Sequence, residues 1–243
     1  MKDFKDLLVK RLSSCKEMST REIAEFFEDS GFLIKKSTLN WRLYELVNQG
    51  IISRVGRGQY ILGQKKGFNP ILSDNNIRLS TIIKDNFPLL SYCLWDTNLI
   101  KPFTQDIPSI FFTIIEVEKE GKEAVYHKLR EDSPNVFLDD NKKYIRDILN
   151  NLSDFIVIKT LISEAPLKLV NNLPIPLPEK ILVDLYCDTL LFDYLQGNEL
   201  QYIFQNMLSQ FSFNKNKMLR YAARRGKKRE IEAYIKQIIG KKN

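Results

Sequence analysis

Asp96 follows the apolar run Leu90–Trp95, and Glu116, Glu118 and Lys119 stand at the end of the longer run SIFFTIIEV, Ser109–Val117. Carboxylates at strand ends can hold Mg²⁺ beside a scissile phosphate, with a lysine supporting the attacking water. A nuclease that pairs an acid with a following (D/E)xK has this layout. Here the second half reads Glu116-Val117-Glu118-Lys119, with the lysine one position early. Charged residues at a strand-to-helix turn are also common on any α/β protein, and the misplaced lysine favours that plainer reading. His127, the only histidine, lies in VYHKL with no second histidine or cysteine at ligand spacing, which makes it a surface or packing residue. Neither a G-x-x-x-x-G-K-[ST] nor a G-x-G-x-x-G cradle occurs, so no nucleotide cofactor is expected, and there is no G-x-S-x-G elbow. Cys15, Cys93 and Cys187 are far apart, outside any CxxC pair, and read as reduced thiols of a cytosolic protein.

The second chemistry in the chain is polyanion binding. GIISRVGRGQYIL, Gly50–Leu62, reads as two short apolar strands joined by Gly56-Arg57-Gly58. Glycines on both sides of Arg57 permit positive φ, so a sharp turn can carry Arg57 at its tip with Arg54 beside it. Each arginine can neutralise a phosphate or enter a narrow minor groove. Upstream, a helix starting at Ser37 buries Leu39, Leu43, Leu46 and Val47 as one stripe and leaves Thr38, Asn40, Trp41 and Arg42 on its other faces, with Tyr44 at the margin. Thr and Asn can bond base edges, Arg can grip guanine or phosphate, and an aromatic edge can pack on a thymine methyl. The free N–H groups of the helix start suit a phosphate.

The elements that must position these residues are legible too. Asp3–Leu12 has Phe4, Leu7, Leu8 and Leu12 at helical spacing. Ser19 with Glu22 forms a capping box ahead of Ile23, Phe26 and Phe27, and Gly31 and Gly50 are helix stops. Three helices followed by a hairpin is the order of a winged helix-turn-helix domain, placed at residues 1–66. A polar linker, Gln64–Pro70, leads to a small α/β domain at 67–178. There, helices Ser80–Phe87, Lys122–Arg130 and Lys142–Leu149 alternate with strands Leu90–Trp95, Ser109–Val117, Asn135–Leu138 and Phe155–Leu161, which predicts a mainly parallel or mixed sheet. Pro174, Pro176 and Pro178 break the chain before a basic helical region, 179–243, with helical runs Glu179–Tyr194 and Gln201–Phe211. The fold class is α+β or α/β.

Charge is unevenly spread over the 243 residues. Residues 1–66 hold 13 Lys+Arg against 8 Asp+Glu, 67–213 hold 13 against 20, and 214–243 hold 11 against 2. Arg220, Arg224, Arg225, Lys227, Lys228 and Arg229 crowd about three turns of the last region. Such a cluster repels itself and calls for an acidic partner, either DNA phosphate or the acidic middle of the same chain. No apolar run reaches the roughly 18 residues needed to span a bilayer, and the mixed charges of MKDFKDLLVKRL do not suggest a secretory signal.

S-T-x-x-W-R-L followed by G-x-I-x-R-V-G-R-G-x-Y, Ser37–Tyr60, resembles the winged helix of AbiEi-type antitoxins of bacterial abortive-infection systems. WDTNLIKPF, FFTIIEVEKE, VFL, IKTLISEAPL, P-x-P-E-K-I-L-V-D-L and MLRYAARRGK extend the resemblance over nearly the whole chain. It implies a cytoplasmic, non-enzymatic autorepressor that binds inverted repeats in its own promoter and counteracts a nucleotidyltransferase-like toxin. By position, the DNA contacts it implies are Ser37, Thr38, Asn40, Trp41 and Arg42 on the helix and Arg54 and Arg57 on the wing. Arg220, Arg224, Arg225, Lys227 and Lys228 are candidates for a second phosphate contact. The competing expectation is a Mg²⁺-dependent nuclease of restriction-endonuclease-like fold, for which Asp96, Glu116 and Glu118 must converge; a third is a protein-interaction module whose winged helix dimerises.

Overall fold

The capping box at Ser19 forms. In the computed structural model the Glu22 N–H donates to Ser19 Oγ at 3.1 Å, and the Ser19 N–H donates to Glu22 Oε2 at 2.6 Å. The structure describes residues 2–15, 17–48, 50–63, 67–108, 110–140, 148, 152, 154–211 and 213–240. They fall into two units, residues 1–68 with 208–212 and residues 69–207 with 213–243.

The first unit contains α1 (Lys2–Ser13), α2 (Thr20–Asp29) and α3 (Lys36–Asn48). Strands β1 (Met18–Ser19), β2 (Ile52–Gly56) and β3 (Gln59–Leu62) make an antiparallel sheet in the order β1-β3-β2. The predicted stripes meet in one core: Phe4, Leu8 and Leu12 from α1, Ile23 and Phe27 from α2, Leu39, Leu43 and Leu46 from α3, and Met18, Ile52 and Tyr60 from the sheet. Phe4 and Phe27 stack with ring centroids 4.1 Å apart. Each such buried side chain is worth about 1.5–3 kcal/mol, so this unit holds itself together by apolar burial.

The β2–β3 turn uses one left-handed glycine where two were expected. Gly58 has φ +72°, whereas Gly56 does not enter the positive-φ region. The pairing register shifts between Arg54 and Gly56, and this bulge supplies the bend that a second left-handed residue would have made. Thr20 anchors the turn: its N–H donates to the Gly58 carbonyl at 2.7 Å and its Oγ1 at 3.2 Å.

The second unit is built on a four-stranded sheet of β4 (Tyr92–Asp96), β5 (Thr113–Val117), β6 (Val136–Leu138) and β7 (Ile156–Thr160), in the order β4-β5-β7-β6. β4 is antiparallel to β5, and β5, β7 and β6 are parallel, so the fold is mixed α+β. Helix α4 (Asp74–Asn86) starts before the expected Ser80, because Ser73 caps it by accepting the Asn76 N–H at 3.2 Å. α5 (Lys122–Arg130) follows β5 as predicted. β5 is shorter than the apolar run that suggested it: the Phe112 N–H leaves the ladder for Thr97 Oγ1, at 3.0 Å. The helix expected at 142–149 lies, apart from Ile148, outside the described residues, as do Gln64–Lys66 of the linker and Ser109. The proline-rich stretch is a hairpin and not a simple break. β8 (Leu167–Val170) and β9 (Leu173–Pro176) pair through Asn171 and Asn172, at φ 50° and 62°, the two left-handed residues of a tight turn. Then come α6 (Pro178–Cys187), α7 (Asn198–Gln210), α8 (Lys215–Arg224) and α9 (Lys228–Gly240).

Charge inside this unit joins the sheet to the helices. Cys93, Glu116 and Lys159 are in register across β4, β5 and β7, and residues directly opposite one another share a face. Lys180 of α6, fully buried, reaches Glu116 Oε1 at 2.5 Å and also pairs with Asp184 one turn on. Asp184 Oδ1 accepts from the Tyr221 hydroxyl of α8 at 2.8 Å and from Arg225 Nη1 at 3.3 Å. Arg225 Nη2 reaches Asp188 Oδ1 at 2.5 Å, and Lys159 pairs with the same carboxylate. Three cations face three anions. Burial disfavours the Lys180 and Lys159 ammonium groups, but Asp184 with Glu116, and Asp188, outweigh it and hold both above the free lysine range. Burial opposes ionisation of Asp188 too, yet Lys159 and Arg225 keep its carboxyl below the usual value. For Glu116 burial dominates and pushes the carboxyl up.

Gly58→Ala forces a side chain into the left-handed region with its Cβ 3.1 Å from Thr20 Oγ1, and should cost about 1–2 kcal/mol by urea denaturation. Gly56→Ala, whose Cβ meets only Gln59 at 3.6 Å, should be tolerated. Arg225→Ala strips a partner from two carboxylates and should cost about 3 kcal/mol. Its neighbour Arg224 pairs with Glu164 at the surface, and Arg224→Ala should leave the midpoint near that of the parent. The raised folded pKa of Lys159 and Lys180 means that the unfolded chain releases these protons first. Their stabilisation is complete below the free value of 10.5 and drains above it, so the urea midpoint should hold up to about pH 10 and fall above it.

Candidate nucleic-acid interface

The buried stripe of α3 dictates what its opposite side presents. With Leu39, Leu43 and Leu46 turned inward, a rotation of 100° per residue sends Ser37, Trp41 and Tyr44 outward. All three are exposed, Trp41 to 53% and Tyr44 to 57%, and exposed Thr38 and Asn40 flank them. Tyr44, marginal in the sequence reading, is thus central to the face; its spacing of three from Trp41 and seven from Ser37 is the signal that locates it. Lys35 and Lys36 are exposed at the helix start.

Arg42 departs from the expected face. Its guanidinium lies 4.9 Å from the centroid of the Phe4 ring, where a cation is attracted to the aromatic face and the side-chain stem covers the core. It is half-buried and directed at α1. On the hairpin Arg54 and Arg57 are both exposed. Arg54 Nε donates to the Gly56 carbonyl at 3.1 Å and so lies along its own strand, while Arg57 occupies the turn.

The second basic cluster divides. Arg220, Arg224, Lys227 and Lys228 are exposed; Arg224 pairs with Glu164, and Lys227 with Glu230 at 3.2 Å. Arg225 is committed to Asp184 and Asp188 in the interior and has no guanidinium to offer a phosphate; burial opposes its charge, and the two carboxylates raise its pKa in spite of that. The acidic partner of this arginine is the middle of its own chain. Glu164, exposed beside Arg224 and Arg220, is held below the usual carboxylate range, chiefly by Arg224.

The three carboxylates considered for metal binding are not brought together. Asp96 is paired with Thr113, three residues before Glu116, and an odd offset puts the two acids on opposite faces, about 10 Å apart along the strand. Asp96 accepts from Asn76 Nδ2 at 2.8 Å and Ser73 Oγ at 3.2 Å, whereas Glu116 is bound to Lys180. Glu118 and Lys119 are exposed at the turn after β5. His127 is exposed on α5 with its ring against Tyr126. Burial raises the thiols of Cys93 and Cys187, the latter to about 11. Among the described residues no group of His, Cys, Asp and Glu could hold a metal ion, and no helix is long and apolar enough to cross a membrane.

No curated protein sequence matches the chain. Among solved structures, one similar chain is the RV2827C protein from Mycobacterium tuberculosis, at 10% identity and a TM-score of 0.35, over 96% of this chain and 80% of that one. A family model described as a family of unknown function, DUF6577, matches residues 38–241. The match takes in nearly all of α3, the hairpin and the whole sheet with its ionic network, and the chain belongs to the DUF6577 family.

Proposed function

We propose that this protein is a DNA-binding transcriptional autorepressor and antitoxin, working in the cytoplasm, whose first unit is a winged helix-turn-helix and whose wing is the β2–β3 hairpin. The observation that carries the DNA reading is the exposed face of α3, Ser37, Trp41 and Tyr44 with Thr38 and Asn40 beside them, on the same small unit as the exposed Arg54 and Arg57. A helix of this kind fits the major groove, and two arginines on a protruding turn fit the phosphates or minor groove next to it. Arg220, Arg224, Lys227 and Lys228 are available for a second phosphate contact; Arg225 is not. The antitoxin part of the reading, with a nucleotidyltransferase-like toxin as partner and inverted repeats of its own promoter as target, rests on the resemblance of the sequence blocks to AbiEi-type proteins. A nuclease reading draws no support from Asp96 and Glu116, which lie on opposite faces, with Glu116 bound to Lys180.

Arg54→Ala with Arg57→Ala should weaken binding to the DNA upstream of the gene. It should also flatten the dependence of log K on log salt by about one unit for each phosphate that the variant no longer neutralises. Fluorescence anisotropy over a salt series measures both, and an unchanged affinity and slope would remove the wing from the interface.

A further inference from the structure

The exposed face of α3 has an unusual chemistry for a helix in water. Its outermost residues include two large aromatic rings, each more than half exposed, and one carboxamide at their side. The same unit has exposed cations, Lys35 and Lys36 at the helix start and Arg54 and Arg57 on the hairpin. The one arginine within the helix, Arg42, is laid over Phe4, and the one acid of the helix, Glu45, is half-buried on the same flank as Arg42. The rings therefore face out with no charged helix residue between them.

Each base pair asks for a different group in the major groove. Guanine is read by Arg or Lys at O6 and N7, and cytosine by an acidic acceptor at N4. Adenine is read by Asn or Gln at N6 and N7, and thymine alone offers a methyl group. Among Ser37, Asn40, Trp41 and Tyr44 the second pair of readers is present and the first is not; Glu45, one turn beyond Trp41, is half-buried. Ser37, Asn40, Trp41 and Tyr44 offer a carboxamide and two apolar surfaces, and the exposed cations Lys35 and Lys36 precede them in the chain.

We propose that α3 reads A·T base pairs in the major groove, with Asn40 bonded to adenine N6 and N7 and the rings of Trp41 and Tyr44 packed on thymine 5-methyl groups. This assignment rests on the DNA-binding reading above and adds the base class to it. It also accounts for the exposed rings, which lose water-facing surface against the methyl groups on binding.

Deoxyuridine tests the assignment, because it keeps every hydrogen bond of thymidine and lacks only the methyl. The full chain is titrated against the duplex upstream of its own coding sequence, made once with thymidine and once with deoxyuridine. Affinity should fall about three- to fivefold for each methyl group that a ring covers. Trp41→Ala with Tyr44→Ala should bind both duplexes equally and more weakly. Both side chains are exposed, so the urea midpoint of this variant should match the parent. Arg54→Ala with Arg57→Ala should keep the thymidine preference while its salt dependence flattens, which separates base reading from phosphate contact. A duplex with 7-deazaadenine should weaken the parent and leave Asn40→Ala unaffected. Equal binding of the two duplexes by the parent protein overturns the thymine assignment and leaves DNA binding standing. A failure to bind either duplex at low salt overturns both.

Discussion

The second unit depends on a lysine that water does not reach. A charged group of this kind costs several kcal/mol to bury, and the attraction of a partner returns that cost only when the geometry is good and the remaining hydrogen bonds are met. Lys180 meets the condition with Glu116 from the sheet and Asp184 from its own helix. Each of these carboxylates then needs company of its own. Tyr221 and Arg225 of the α8 region serve Asp184, and Arg225 with Lys159 serves Asp188. An ion network of this size is a weak source of net stability, since apolar residues in the same space would do as well. Its consequence is selectivity. A shift of β5 by one residue, or of α6 by one turn, would strand a charge in a low-dielectric interior. The sheet, α6 and α8 thus have one low-energy arrangement among many that would bury similar apolar area.

The first unit is organised on the opposite principle. Its interior is apolar, with stacked Phe4 and Phe27 near the centre, and its polar groups are at the surface or in caps. Arg42 spans the two regions, with its stem on the core and its guanidinium over an aromatic face. With Arg42 placed there, the exposed residues of α3 from Ser37 to Tyr44 are polar or aromatic. The hairpin is tied to α2 through Thr20 and Gly58, so Arg54 and Arg57 stand on a braced turn. A braced turn costs less conformational entropy when it meets a ligand than a loose one does.

The two basic regions also differ in what they do for the chain. At the hairpin Arg54 bonds the Gly56 carbonyl of its own strand, and both arginines are exposed. In the C-terminal region Arg224 and Arg225 are adjacent in sequence and have unlike fates, one at the surface with Glu164 and one inside with two aspartates. Arg225 follows the last turn of α8 and lies one helical turn beyond Tyr221, on the side that packs against α6, while Arg224 is turned about 100° away. A run of positive charge read as a single patch is in this case two groups with separate roles.

Local rules were enough for much of the chain. The capping box at Ser19, the stripes of α1, α2 and α3, the stops at Gly31 and Gly50, the hairpin after α3 and the strand–helix alternation of the middle are all short-range patterns, set by 3.6- and 2-residue periods and by terminal hydrogen bonds. The outward residues of α3 were legible for the same reason, since the buried stripe of a helix defines its opposite side, and Tyr44 could have been placed by that spacing. What the sequence could not decide was the partner of each charge. Glu116 read as a charged turn residue or part of a metal site and Arg225 as a candidate phosphate contact, because burial and pairing depend on residues 64 and 41 positions away in the chain. The register of β4 on β5 separated Asp96 from Glu116, and the packing of α1 on α3 took Arg42 from the surface. Periodicity is a property of neighbours along the chain, whereas the fate of an ionisable side chain is settled by which distant elements enclose it, and only the tertiary structure brings those elements together.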